Sequence, residues 1–187
     1  MPKPLINVLF LCTHNSARSI LAEALLNHIG QGRFRAFSAG SSPRENQQPN
    51  PLGLQVLQQA GISTHGLRSK SWDEFSQPDA PSRSGPPPNG TSPPLVMDLV
   101  ITVCDNAAGE LCPYWPGRPA SAHWGYADPS GVGDDEVLRL EAFRQTLHAL
   151  RRRLELLINL PATSVDRLTL QAHAREVAKF DAALKGV

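Results

Sequence analysis

The stretch INVLFLCTHNSARS, residues 6–19, divides into unlike parts. Ile6–Leu11 is an unbroken apolar run, the pattern of a strand buried on both faces, and such strands belong to parallel sheets covered by helices. From Ser16, the segment SARSILAEALLNHIG carries Ile20, Leu21, Ala24, Leu25 and Ile29 at helical spacing, with Gly30 as its predicted stop. Residues 12–17 must therefore turn the carboxyl end of a strand into the amino end of a helix. A loop of that kind exposes successive backbone N–H groups, which together with the helix dipole form an anion site.

The same alternation continues outward. FRAFSAG (34–40) reads as a second strand ending in a glycine turn. PLGLQVLQQAGI (51–62) reads as a helix with Leu54, Leu57 and Ala60 on its inner face. MDLVITV (97–103) is a third strand, expected to run up to Cys104, and ASAHWG (120–125) a short fourth. Residues 134–160 form an amphipathic helix whose acidic first turn complements the helix dipole. A last helix is predicted within 166–185. Strands alternating with helices imply a parallel sheet with helices on both faces. The run Arg151, Arg152, Arg153 reads as a solvated helix face.

The segment FSQPDAPSRSGPPPNGTSPP (75–94) is dense in Pro, Gly and Ser and lacks periodicity. Such a composition buries too little apolar surface to order itself, so a mobile surface insertion is expected there. At 187 residues the chain suits a single domain, 1–187, carrying that insertion. The net charge of +1 gives no basic excess for a nucleic-acid partner. The amino-terminal apolar run is too short for a signal peptide, and no stretch approaches the roughly 20 apolar residues of a membrane span. A cytoplasmic protein is expected. Its three cysteines, Cys12, Cys104 and Cys112, make no closed disulfide framework and show no CxxC zinc spacing.

Cys12 stands at the mouth of the loop and Arg18 closes it, offering a planar fork to two oxygens of a tetrahedral oxyanion. The positive field of the loop is expected to lower the Cys12 pKa, and Ser19 to donate a hydrogen bond to the thiolate. Asn15 suits a tight, left-handed position. Thr13, His14, Asn15, Ser16, Ala17 and Arg18 then form the substrate cradle around a cysteine nucleophile. His14 reads as solvent-facing filler, because a thiolate held by the loop needs no base.

With CTHNSARS (12–19) followed far downstream by ADPS (127–130), the sequence resembles the low-molecular-weight protein tyrosine phosphatase superfamily, and within it the thiol-linked arsenate reductases. The resemblance implies a flavodoxin-like α/β fold, a three-layer sandwich with a four-stranded parallel sheet. It implies CTHNSARS as the phosphate-binding loop and Asp128 as general acid. It also implies that Asn15, Glu23, Ser38 and Asp73 match a monovalent-cation site that the reductase branch can carry, for potassium; no tightly bound cofactor is expected. AHWG before the acid loop matches the reductases, with Trp124 either in the core or shielding an adduct from water.

Both branches share Cys12, Arg18 and Asp128. The phosphatases set aromatic residues beside the Asp-Pro to grip a phosphotyrosine ring, whereas YADPSGVG (126–133) has only small residues after Pro129. Cys104, ending a buried strand as Cys12 does, lies on the same sheet edge, and two thiols brought there can come within disulfide reach. The expected reaction is reduction of arsenate to arsenite through a Cys12 adduct and a Cys12/Cys104/Cys112 relay. Thioredoxin is the implied reductant, or glutaredoxin with a small thiol. Seven residues separate Cys104 from Cys112, one more than in the thioredoxin-linked pattern. A regular helix would hold the two about 12 Å apart, so the segment is expected to loop or unwind on oxidation. The alternatives are a phosphatase acting through a Cys12 phosphocysteine and a non-catalytic oxyanion or redox sensor.

Overall fold

The computed structural model describes residues 5–76, 95–104, 115–160 and 167–184, with side chains of the last helix over 170–179. Four strands, β1 (Ile6–Cys12), β2 (Phe34–Gly40), β3 (Leu99–Thr102) and β4 (Ala120–His123), form one parallel sheet in the order β2-β1-β3-β4. This is the expected flavodoxin-like α/β fold. β3 stops two residues short of Cys104, which lies just beyond the strand.

Alternation along β1 divides the core. Val8, Phe10 and Cys12 face one hydrophobic cluster, and Leu9 and Leu11 face the other. The larger cluster is roofed by α1 (Arg18–Ile29), α2 (Pro51–Gln59), α4 (Glu136–Ile158) and α5 (Arg167–Leu184). On the opposite face, the single-turn α3 (Asp73–Ser76) brings Phe75 against Leu9, Leu11 and Ala39, with Trp72 and Trp115 packed beside it. Phe75 and Ser76, expected within the insertion, are thus helical, because Phe75 has an apolar face to bury. Residues 77–94 of the expected insertion lie outside the described residues.

Side-chain size adjusts the helices. α1 is buried on most sides: Ala22 and Leu26 join the expected face, while Ile29 is only partly covered. Gly30 ends α1 at φ −94°, not in the left-handed region; a Cβ there would come within 2.8 Å of the Leu26 carbonyl oxygen. α2 presents Gly53, Val56 and Leu57 inward in place of the expected Leu54, Leu57 and Ala60, since Gly53 lets the helix approach the Phe143 ring of α4. The Arg33 guanidinium fastens the end of α4, donating to the carbonyls of Ile158 (2.7 Å) and Leu160 (2.9 Å).

Burial decides the roles of Arg153 and Trp124. Arg153 is not solvated: it is 8% exposed and its guanidinium lies 4.7 Å from the centre of the Tyr126 ring. Helical spacing turns Arg153 inward beside Leu150 and Leu154, while Arg151 reaches Glu155 at the surface. Trp124 is a fully buried core residue whose Nε1–H donates to the Ala174 carbonyl of α5 at 2.8 Å. Among the described residues, no helix is long and apolar enough to cross a membrane.

The chain leaves β1 for β2 on one side, then crosses to β3 on the other. The sheet order reverses between β1 and β3, and the carboxyl edge at such a switch point is where folds of this kind bind ligands. Cys12 and Cys104 stand at that edge.

Candidate active site

Residues 12–17 form a tight loop between β1 and α1. Asn15 takes φ +54°, the left-handed conformation an Asn accepts more readily than most residues. Ser41 N–H donates to the Cys12 carbonyl (3.0 Å), Ser42 N–H to the Thr13 carbonyl (2.9 Å), and Asn50 N–H to the Ser16 carbonyl (2.8 Å). These bonds occupy the carbonyls of Cys12, Thr13 and Ser16. Ala17 caps α1 without a side-chain hydrogen bond, so no capping side chain competes for the first amides of the helix. Under the loop lies Gly40, where a Cβ would sit 2.7 Å from the Thr13 carbonyl oxygen and 2.9 Å from the His14 carbonyl carbon. The glycine expected as a turn at the end of β2 lets that strand pass beneath the loop.

The Cys12 thiol is 3% exposed. It lies 2.9 Å from Ser19 Oγ and accepts the Asn15 N–H at 3.2 Å. Ser19 is therefore placed as expected, but the direction of the Cys12 pKa is not. Burial pushes the thiol above its usual range and the neighbouring Cys104 adds to this, while Ser19 and the Asn15 amide pull the other way without prevailing. The expectation weighed the loop donors and missed desolvation, which a sequence does not display.

Arg18, opening α1, donates from Nη1 to the Tyr126 carbonyl at 2.8 Å, and its Nη2 lies 3.6 Å from Asp128 Oδ2. Asp128 caps the 3₁₀ turn Pro129–Gly131, accepting from Ser130 N–H (3.0 Å) and Ser130 Oγ (2.7 Å) through Oδ1. One carboxylate oxygen is thus held by the turn and the other is turned to Arg18. The structure brings the acid loop to the phosphate loop across 110 residues of chain. Tyr126, ahead of the acid, packs on the core beneath Arg153. Thr13, His14 and Ser16 are half-buried around the cradle, and Ala17 is buried.

Cys104 is 2% exposed, with its Sγ 3.6 Å from Thr13 Oγ1. Thr13, read from sequence only as part of the cradle, therefore links the second thiol to the loop. Cys12 and Cys104 are both buried beside the loop. Cys112, and with it the expected unwinding of the Cys104–Cys112 segment, lies outside the described residues.

The four residues matched to a cation site divide. Asn15 Nδ2 donates to Ser38 Oγ (2.9 Å), and Ser38 donates to Glu23 Oε2. Asp73 bonds Ser71 instead, accepting its hydroxyl at 3.0 Å. In place of a fourth oxygen, the buried Lys70 ammonium stands 3.5 Å from Glu23 Oε2. The donor set does not fit a resident potassium ion: Asn15 turns its amide NH2 to Ser38 while its Oδ1 accepts the Lys70 N–H, Asp73 Oδ2 accepts from Ser71, and the Lys70 ammonium already pairs with Glu23. No cluster of three His, Cys, Asp or Glu residues suited to a metal occurs among the described residues. Burial raises the Glu23 carboxyl, against Lys70 and Ser38, and lowers the Lys70 ammonium, against Glu23.

Comparison with known proteins agrees with this geometry. The profile of the low molecular weight phosphotyrosine protein phosphatase family matches residues 7–80. An arsenate reductase of Bacillus licheniformis is 29% identical over 149 residues, 79% of this chain and 91% of that protein. A glutaredoxin arsenate reductase of Synechocystis sp. is 26% identical over 151 residues, 81% of this chain and 95% of that protein. A solved arsenate reductase in its phosphate-binding state superposes with a TM-score of 0.60 at 25% identity, covering 82% of this chain and 97% of that one.

Proposed function

We propose, from the premise that this chain belongs to the low-molecular-weight phosphotyrosine phosphatase superfamily, that it is an arsenate reductase serving arsenic resistance. The observation that carries the reading is the second buried thiol, Cys104, 3.6 Å from the phosphate-loop hydroxyl of Thr13. A phosphatase needs one cysteine at its loop; a two-electron reduction needs two.

The loop amides and Arg18 bind the oxyanion in place of its water. Cys12 Sγ bonds to arsenic as an arsenate hydroxyl departs as water. The thiol proton ends on that oxygen by way of Asp128, whose free carboxylate oxygen faces Arg18. This order suits a thiol that burial keeps protonated until substrate arrives. Cys104, whose Sγ lies 3.6 Å from Thr13 Oγ1, then attacks Cys12 Sγ, and its thiol proton leaves on an oxygen of the departing arsenite. The sulfur–arsenic pair stays on arsenic, arsenite leaves, and a Cys12–Cys104 disulfide remains. Attack of Cys112 on Cys104 releases Cys12, which takes up the Cys112 proton, and moves the disulfide to Cys104–Cys112, where an external dithiol reduces it. Thioredoxin is the reductant favoured by the third cysteine; the Synechocystis relative keeps glutaredoxin as the competing one.

The test is arsenate-dependent NADPH oxidation with thioredoxin and thioredoxin reductase, for wild type, Cys104→Ser and Cys112→Ser. Sustained turnover by wild type alone, with at most one cycle from either variant, supports the relay. Turnover that survives Cys112→Ser transfers the last step to an external thiol and favours glutaredoxin. Aryl phosphate hydrolysis through Cys12 without arsenate turnover overturns the reductase in favour of a phosphatase. Oxyanion binding without either activity leaves a sensor.

A further inference from the structure

A buried lysine stands behind the loop and takes no part in the chemistry above. Lys70 belongs to a short segment pinned to the end of β2: Gly40 N–H donates to the Lys70 carbonyl (2.8 Å), and Trp72 N–H to the Gly40 carbonyl (2.9 Å). Its own backbone N–H donates to Asn15 Oδ1 at 2.9 Å. Its ammonium donates to the Arg68 carbonyl at 3.0 Å and pairs with Glu23.

From that ammonium a continuous chain of polar contacts leads to the nucleophile. Glu23 accepts from Ser38 Oγ, Ser38 accepts from Asn15 Nδ2, and Asn15 Nδ2 also donates to Ser19 Oγ at 2.8 Å. Ser19 Oγ is 2.9 Å from Cys12 Sγ. Asn15, Ser19 and Ser38 are fully buried, so each link is short of alternative partners. A buried carboxylate that lost its cation would be left desolvated, and would take a proton or turn away. Either response releases Ser38, then Asn15, then Ser19. The other cation nearby, Arg68, is engaged in a two-pronged ion pair with Glu74.

We infer that Lys70 is the built-in counter-cation of the phosphate loop, doing for Glu23 what a bound monovalent cation would otherwise do, and through Ser38 and Asn15 positioning Ser19 against Cys12. The protein is accordingly indifferent to potassium. Lys70 is a positioning residue, since it reaches the reacting sulfur only through others.

The experiment compares potassium chloride with tetramethylammonium chloride at equal ionic strength, reading the melting temperature and the dissociation constant for inorganic phosphate, so the result does not depend on the reductase assignment. Wild type is expected to give the same values in both salts. Lys70→Ala is expected to bind phosphate about tenfold more weakly in tetramethylammonium and to recover most of that loss in potassium, which a lysine of merely structural value would not allow. Glu23→Gln/Lys70→Met removes both charges together; it is expected to fold and to lose the potassium response. If Lys70→Ala folds only in potassium, the inference stands. A wild type that potassium stabilises, a Lys70→Ala protein indifferent to both salts, or a double variant that still gains from potassium would each overturn it.

Discussion

A single missing methyl group fixes how near β2 comes to the reactive loop. At Gly40 a Cβ would meet backbone atoms of Thr13 and His14, not the movable end of a side chain, so relief requires the loop itself to shift. Gly40→Ala is therefore expected to keep the far-ultraviolet circular dichroism of wild type while kcat/KM for arsenate falls about 100-fold, the scale of a misplaced reactive group. An alanine variant with unchanged kcat/KM would show that the loop tolerates a displaced floor. Residues of this kind mark where the sequence was silent. Cys12, Asn15, Arg18 and Ser19 were legible because they are near neighbours in the chain, between an apolar run and an amphipathic one. Gly40 and Lys70 reach the loop only by tertiary approach. The direction of the Cys12 pKa depends on burial from every side, so local charge alone misjudged it.

Elements were easier to read than their edges. All four strands and the long helices stand where periodicity put them, because an apolar period reports directly on a buried face. Departures came from neighbours: Gly53 chose the inner face of α2 by admitting Phe143, and Arg153 went inward onto Tyr126. The docking of α5 follows the same logic. β4 is an edge strand, and α5 lies against it with Leu170, Ala174 and Val177 buried, tied by the Trp124 indole N–H. Trp124→Phe removes that donor and shrinks the side chain. It is expected to cost about 2 kcal/mol and to lower the melting temperature by roughly 6 °C. Faster amide exchange confined to α5 would locate the loss; faster exchange throughout the sheet would refute this local account.

For the molecule as a whole, the buried Glu23–Lys70 pair ties global stability to pH. Glu23 is raised in the folded state, so its favourable contribution is complete below the ordinary carboxyl value of 4.5 and is lost as pH rises through the raised value. Lys70 is lowered, so its contribution is complete above 10.5 and is lost as pH falls through the lowered value. Both terms leave a trough near neutrality. Denaturant unfolding of wild type, measured against Glu23→Gln/Lys70→Met from acid to alkaline pH, is expected to give a difference that falls, bottoms out and rises again. A difference that peaks near neutrality would mean that the pair is a net stabiliser. The expected cost is that of desolvating two charges, borne here for the placement of a loop.

The near-complete burial of Cys12 and Cys104 also sets which reagents reach them. A compact tetrahedral anion that the loop amides can draw in is expected to reach the sulfur. A bulky disulfide or maleimide is expected to react slowly with it. The fold thus acts as a size filter on sulfur chemistry, letting a small toxic anion in and slowing the background oxidants and electrophiles of a cell that would spoil an open dithiol.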